Sequence, residues 1–175
     1  LPIIYHKIVR LAGIGESWLA EKIESWENEL PKNIRLAYLP TFGDLKLRFT
    51  AIGENLELIK SQIDEQIALL LPLIQEYVYG YDDDSLEMVI GRLLRKNNQK
   101  LALAESCTGG FVSHRITTVP GSSDYFNGTI VPYQNEMKIA QLGVSRKTLE
   151  IHGAVSEATV SEMASRVREK FNADF

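Results

Sequence analysis

Leu101-Ala102-Leu103-Ala104-Glu105-Ser106-Cys107-Thr108-Gly109-Gly110 begins as a short apolar run and ends in small polar residues and a glycine pair. Four apolar residues suit a buried strand rather than a helix, and the glycines behind them mark a turn. Phe111 to Thr117 has helical character, so the stretch reads as strand, turn and helix, the unit of an α/β layer. Downstream, Asn127 to Tyr133 reads as a second strand. Helices are expected at Asn135 to Leu142, Arg146 to His152 and Glu157 to Phe171, with Ser145 and Ser156 as N-caps. Another strand is expected to begin at Ala173-Asp174-Phe175.

Upstream the pattern changes to α+β. Ile4 to Leu11 is apolar and β-branched enough for a strand, and Gly13 and Gly15 break it. Ser17 to Leu30 places Trp18, Leu19, Ile23 and Trp26 at helical spacing, and Pro31 stops that helix. Ile34 to Leu39 and Leu45 to Ala51 flank a turn at Pro40…Gly43-Asp44, a hairpin signal whose second strand aligns Leu45, Leu47, Phe49 and Ala51 on one face. The cover for that face is Leu56 to Leu70, with a stripe of Leu56, Ile59, Ile63, Ile67 and Leu70 that Pro72 interrupts. The expected architecture is a small βαββα module over residues 1–80, then an incomplete α/β layered domain over 81–175. A linker is expected at Tyr79 to Asp84. Its three adjacent carboxylates read as a solvated turn, and Asp84 with Glu87 has capping-box spacing ahead of the stripe Leu86, Val89, Ile90, Leu93 and Leu94.

Composition sets the class. Of the 175 residues 45% are hydrophobic and 24% charged, with net charge −4, as in a soluble globular protein. The apolar run Ile67 to Ile74 is far short of the ~20 residues that span a bilayer. The start, Leu1-Pro2-Ile3, lacks both an initiator Met and a signal-peptide pattern, so it reads as cut from something longer. A single cysteine, Cys107, precludes an internal disulfide and suits a reducing cytoplasm, and the spacing of His6, His114 and His152 argues against zinc. Neither half has the basic excess that tracks phosphate backbones, which argues against nucleic acid as a partner.

The chemistry concentrates after residue 104. A strand that turns sharply into a helix exposes small hydroxyl side chains beside main-chain N–H groups, which suit a phosphate or a developing oxyanion. Gly109 and Gly110 allow close approach to the backbone. The same residues would also serve as a plain cap, with Ser106 or Thr108 closing the helix. Serine needs a base, and no histidine stands in a recognisable triad order, but Tyr133-Gln134-Asn135-Glu136-Met137-Lys138 puts a phenol at a strand end and an amine on the next helix. A buried lysine gives up its proton more readily, so Lys138 can act as the base while Tyr133 relays or orients it. The ordinary alternative makes Tyr133 a core residue and Lys138 a solvated charge. Cys107 is the competing nucleophile, and without a histidine partner it reads as a packing residue.

Four ordered motifs, Ala104 to Gly110, Pro120-Gly121-Ser122-Ser123, Tyr133 to Lys138 and His152-Gly153-Ala154-Val155-Ser156-Glu157, resemble the C-terminal domain of the CinA family. The first half is similar to that family's middle, KH-like module through Gly13-Ile14-Gly15-Glu16-Ser17, Leu39-Pro40 and Leu47-Arg48. The resemblance implies a nicotinamide-nucleotide amidase of the pyridine nucleotide cycle: Ser106 attacks the carboxamide of nicotinamide mononucleotide, and Lys138 with Tyr133 handles the proton. It further implies that Glu105, Thr108, Gly109, Gly110 and Asn135 contact the substrate, with no metal or cofactor for this step. A Gly-rich segment beyond residue 175 is expected to complete the pocket, so activity is expected of the extended chain. Gly13-Ile14-Gly15 is not the Gly-x-x-Gly clamp of RNA-binding KH domains, so residues 1–80 read as a spacer or dimerisation module of a cytoplasmic homo-oligomer. The alternative is a non-catalytic nucleotide-binding or regulatory module.

Overall fold

The computed structural model describes residues 2–41 and 43–175. The chain divides into two compact units, Leu1–Leu86 and Glu87–Phe175.

The first unit is the βαββα module with a fourth strand added. β1 (Ile3–Leu11), α1 (Glu16–Asn28), β2 (Ile34–Thr41), β3 (Asp44–Gly53), α2 (Leu56–Ile74) and β4 (Val78–Tyr81) follow in order, and the antiparallel sheet runs β2-β3-β1-β4. Strand alternation sends Leu45, Leu47, Phe49 and Ala51 to one buried face, as their spacing requires. Leu19, Ile23 and Trp26 of α1 and Ile59, Ile63, Ile67 and Leu70 of α2 close over it, with Trp26 edge-on to Phe49 at 5.9 Å between ring centroids. Trp18 is not part of that stripe. It lies one residue, about 100° of helix, away from Leu19 and stays 78% exposed.

Leu56, at the start of the expected α2 stripe, is likewise exposed, and two expectations about elements fail in this unit. Helix α2 runs through Pro72 to Ile74. Pro72 and Ala68, the residue whose carbonyl loses its N–H partner, are both exposed, so that carbonyl is open to solvent while buried Leu70 and Ile74 hold the helix on course. The expected linker is partly a strand: Val78–Tyr81 pairs with β1, and Asp82 accepts the Ile8 amide at 2.9 Å. Asp84 turns back to accept the Tyr81 amide at 3.1 Å, so these carboxylates tie the turn to the sheet. Phe42, in the expected hairpin turn, lies outside the described residues.

The second unit begins with α3 (Leu86–Lys96), then β5 (Leu101–Ala104), α4 (Phe111–Thr117), β6 (Phe126–Ile130), α5 (Asn135–Met137), α6 (Arg146–His152) and α7 (Glu157–Lys170). β5 and β6 pair in parallel, with Ala104 beside Ile130, and α4 is the crossover between them. α7 packs on β5, and Met163 and Val167 share a core with Ala102, Leu142, Val144 and Leu149. The predicted stripe of α3 is only partly inward. Leu94 and Gly91 are buried, whereas Ile90 and Leu93 are exposed, because α3 meets the core where Gly91 leaves room for the fully buried Tyr125 ring.

Strand β6 stops at Ile130, short of the predicted Tyr133, and Pro132 lies just beyond its end. Of the two predicted N-caps, Ser156 Oγ accepts the Thr159 amide, whereas the Ser145 side chain caps nothing and its own amide donates to Glu162. At the C-terminus, Phe175 N–H donates to Lys100 O at 3.1 Å and Phe175 O accepts from Ala102 N at 2.9 Å. That pattern is parallel pairing along the edge of β5 opposite β6. Among the described residues, no helix is long and apolar enough to cross a membrane.

Candidate active site at the strand ends

Parallel pairing of β5 and β6 brings their carboxyl ends side by side, ~4.8 Å apart, which is where ligands of α/β sheets bind. Two residues past the end of β5 stands Ser106, and three past the end of β6 stands Tyr133. The Glu105 amide donates to Ile130 O at 3.0 Å, which locks the two exits together.

The turn after β5 is tight. Gly109 N–H donates to Ser106 O and Phe111 N–H to Thr108 O, both at 3.0 Å, and Gly109 and Gly110 hold φ of 60° and 96°. Those left-handed angles are why two glycines are needed here. Cys107, expected to pack, is exposed instead, because it occupies the outside of this turn. Ser106 is half-buried, and Thr108 and Gly109 are exposed.

Glu105 is 5% exposed and folds over the start of α4. Its Oε2 accepts from the amides of Gly110 at 3.1 Å and Val112 at 3.0 Å; its Oε1 accepts from the amide of Ser113 at 2.8 Å and from the Ser113 hydroxyl. Burial alone would raise its pKa, but the hydroxyls of Ser113 and Thr108 and the amides of Ser113 and Val112 outweigh it and hold the carboxyl at about 2. The Gly109 amide is thus spent within the turn and the Gly110 amide on Glu105. Glu105 is likewise committed to its own backbone. Of the amides from Glu105 to Ser113, those of Ser106, Cys107 and Thr108 meet no acceptor among the described residues.

Lys138 is 1% exposed, and its Nζ donates to the carbonyls of Pro132 at 3.1 Å and Tyr133 at 2.8 Å. Instead of one regular helix, α5 makes a single turn and Lys138–Leu142 is π-helical. Such widened turns recur at functional sites. Tyr133 accepts from Lys138 through its carbonyl, while the residue as a whole is 71% exposed, so neither a core position for Tyr133 nor a solvated one for Lys138 holds. Asn135 is exposed at the start of α5. No hydrogen bond joins Ser106 to Lys138 or Tyr133 among the described residues.

Ser113, on the buried side of α4 one turn before Ile116, escaped the sequence reading. A small polar residue at a core position of a short helix was the available signal. The Pro120 to Ser123 motif is tied to α3, where Arg95 donates to Pro120 O at 2.8 Å. The one around Gly153 is tied to α7 in the same way, its carbonyl accepting from the Thr159 hydroxyl at 2.7 Å.

Family models described as the CinA C-terminal domain and the damage-inducible protein CinA KH domain match residues 83–175 and 6–80. The chain is 48% identical over 172 residues to a CinA-like protein of Cytophaga hutchinsonii, covering 98% of this chain and 41% of that one. A CinA-like protein of Amoebophilus asiaticus is 47% identical over 174 residues, with 99% and 42% covered. The chain thus spans about two fifths of the length of the curated relatives it matches. Among solved structures, the competence/damage inducible protein CihA from Agrobacterium tumefaciens superposes with a TM-score of 0.50 at 34% identity, over 51% of this chain and 54% of that one. With both modules matched in order and near-complete coverage of the chain at close to half identity, this chain belongs to the CinA family.

Proposed function

We propose that the second unit carries the serine amidase chemistry implied by the CinA resemblance, acting on the carboxamide of nicotinamide mononucleotide. The observation that carries this reading is the burial of Lys138 with its Nζ held by two carbonyls at the strand end neighbouring Ser106. The two carbonyls fix the direction of Nζ and leave one of its substituent positions for the Ser106 hydroxyl, the arrangement a base for the serine proton requires.

Ser106 Oγ attacks the carboxamide carbon as its proton passes to Lys138 Nζ. Main-chain amides of the Ser106 to Thr108 turn stabilise the oxyanion. The tetrahedral intermediate then expels ammonia, which takes the proton back from Lys138. Water hydrolyses the resulting ester to the nicotinate nucleotide and frees Ser106. Tyr133 orients Lys138 through its carbonyl, and its exposed phenol stands with Asn135 where a substrate would enter.

The test is ammonia release from nicotinamide mononucleotide by the full-length protein, with Ser106→Ala and Lys138→Ala beside it. Loss of at least about 10³ in kcat for S106A is expected from removal of a nucleophile. Undiminished turnover in S106A, or none from the folded wild type, sinks the assignment.

A further inference from the structure

The carboxylate next to the nucleophile invites a chemical role, as a base for Ser106 or a ligand for substrate. Its surroundings forbid both. A carboxylate offers about four lone-pair positions, and the Gly110, Val112 and Ser113 amides with the Ser113 and Thr108 hydroxyls leave none open. A carboxylate held at about 2 is too weak a base to draw a proton from serine. What those bonds do is mechanical. They close a ring from the end of β5, round the turn and back to the first turn of α4, with Ser106, Cys107 and Thr108 on its outer arc. Gly109 and Gly110 form part of the ring at left-handed angles that glycine adopts without strain.

The electrostatic consequence is as definite. The amides that a helix start offers to an anion are here neutralised by an internal one. An oxyanion forming on the substrate's carbonyl oxygen finds its donors upstream, at amides that no group among the described residues accepts from.

We propose that Glu105 is the positioning residue of the nucleophile turn, occupying the donors of α4 so that Ser106 is held in place and the amides of Cys107 and Thr108 form the oxyanion site. This inference rests on the amidase reading above. It assigns Glu105 a role in kcat and none in substrate contact. Ser113 shares that role from the helix side, as the hydroxyl that completes the ring.

The experiment uses the full-length protein as wild type, Glu105→Gln and Ser113→Ala, with three readouts: kcat and KM for ammonia release from nicotinamide mononucleotide, hydrogen exchange at residues 110–113, and the iodoacetamide alkylation rate of Cys107 followed by peptide mass spectrometry. A glutamine offers an N–H where the Ser113 or the Val112 amide needs an acceptor, so the ring opens. Expected for E105Q are faster exchange at Val112 and Ser113, an altered Cys107 rate, and kcat lower by about tenfold or more at a KM within about twofold, because the lost donors act only in the transition state. S113A removes one bond and moves the same readouts in the same direction by less, which keeps the inference testable if E105Q does not fold. Unchanged kcat in folded E105Q, or a fall that only follows the folded fraction, overturns it. A raised KM at unchanged kcat also overturns it, in favour of substrate contact. A wild type without turnover sinks the amidase reading instead, and equal Cys107 rates in wild type and E105Q then overturn the positioning role as well.

Discussion

Glu105 is anionic in the fold down to a pH of about 2, against an ordinary 4.5. A depressed carboxyl pKa adds stability that is complete above the ordinary value and is lost as pH falls from there towards the folded one. The stake at neutral pH is on the order of 3 kcal/mol, from 1.36 kcal/mol for each pH unit of displacement. Urea unfolding of the wild type should therefore weaken between pH 5 and pH 3, and E105Q should show a smaller change over that window. Equal slopes would mean that the carboxylate is not held as described. The sequence placed Glu105 beside Ser106 but left its direction open, because a carboxylate at a strand end serves equally well pointing out to a ligand or back over a helix start. Only the αL turn at Gly109 and Gly110, which brings α4 back within reach, selects the second.

Elements show the same division between pattern and packing. β3 and α2 were legible because their apolar spacing of two and of three to four leaves one way to bury them. α3 was legible as a helix but not in orientation: it carries several large apolar residues and meets the core through Gly91 and Leu94. A Cβ at Gly91 would lie 2.7 Å from Tyr125 Oη and 2.9 Å from Cζ. The ring is fully buried and cannot step aside. Gly91→Ala should lower stability in urea by about 1–3 kcal/mol from overpacking, less the ~1 kcal/mol by which alanine favours a helix. A stabilised G91A would show that the ring moves freely. Helix α2 illustrates the reverse error, since proline at an exposed position of a well-anchored last turn removes one hydrogen bond without ending the helix.

On the scale of the whole molecule, the two units differ in how much apolar surface each closes on itself. Among the described residues the first gathers fifteen buried apolar side chains in one core. The second gathers six in one cluster and three in another, around a two-stranded sheet. Since burial of apolar area is the main stabilising term, the second unit should open first. Hydrogen exchange should find β5 and β6 exchanging through openings of lower free energy than β1 and β3; the opposite ranking would contradict this account. The first unit, expressed as residues 1–86, should unfold cooperatively.

By itself the sequence determined the identity and order of nearly all elements, the buried face of the first sheet, and the family signature around Ser106 and Lys138, because these depend on periodicity, turn chemistry and short contiguous motifs. Tertiary structure alone decided which donors near Ser106 remain open, that Tyr133 meets Lys138 by its carbonyl rather than its phenol, that Tyr79 to Tyr81 joins the sheet, and that α3 turns Gly91 inward. Each of these depends on where a side chain or edge finds its partner across the fold, and a buried polar group or an unpaired strand must find one wherever the chain brings it.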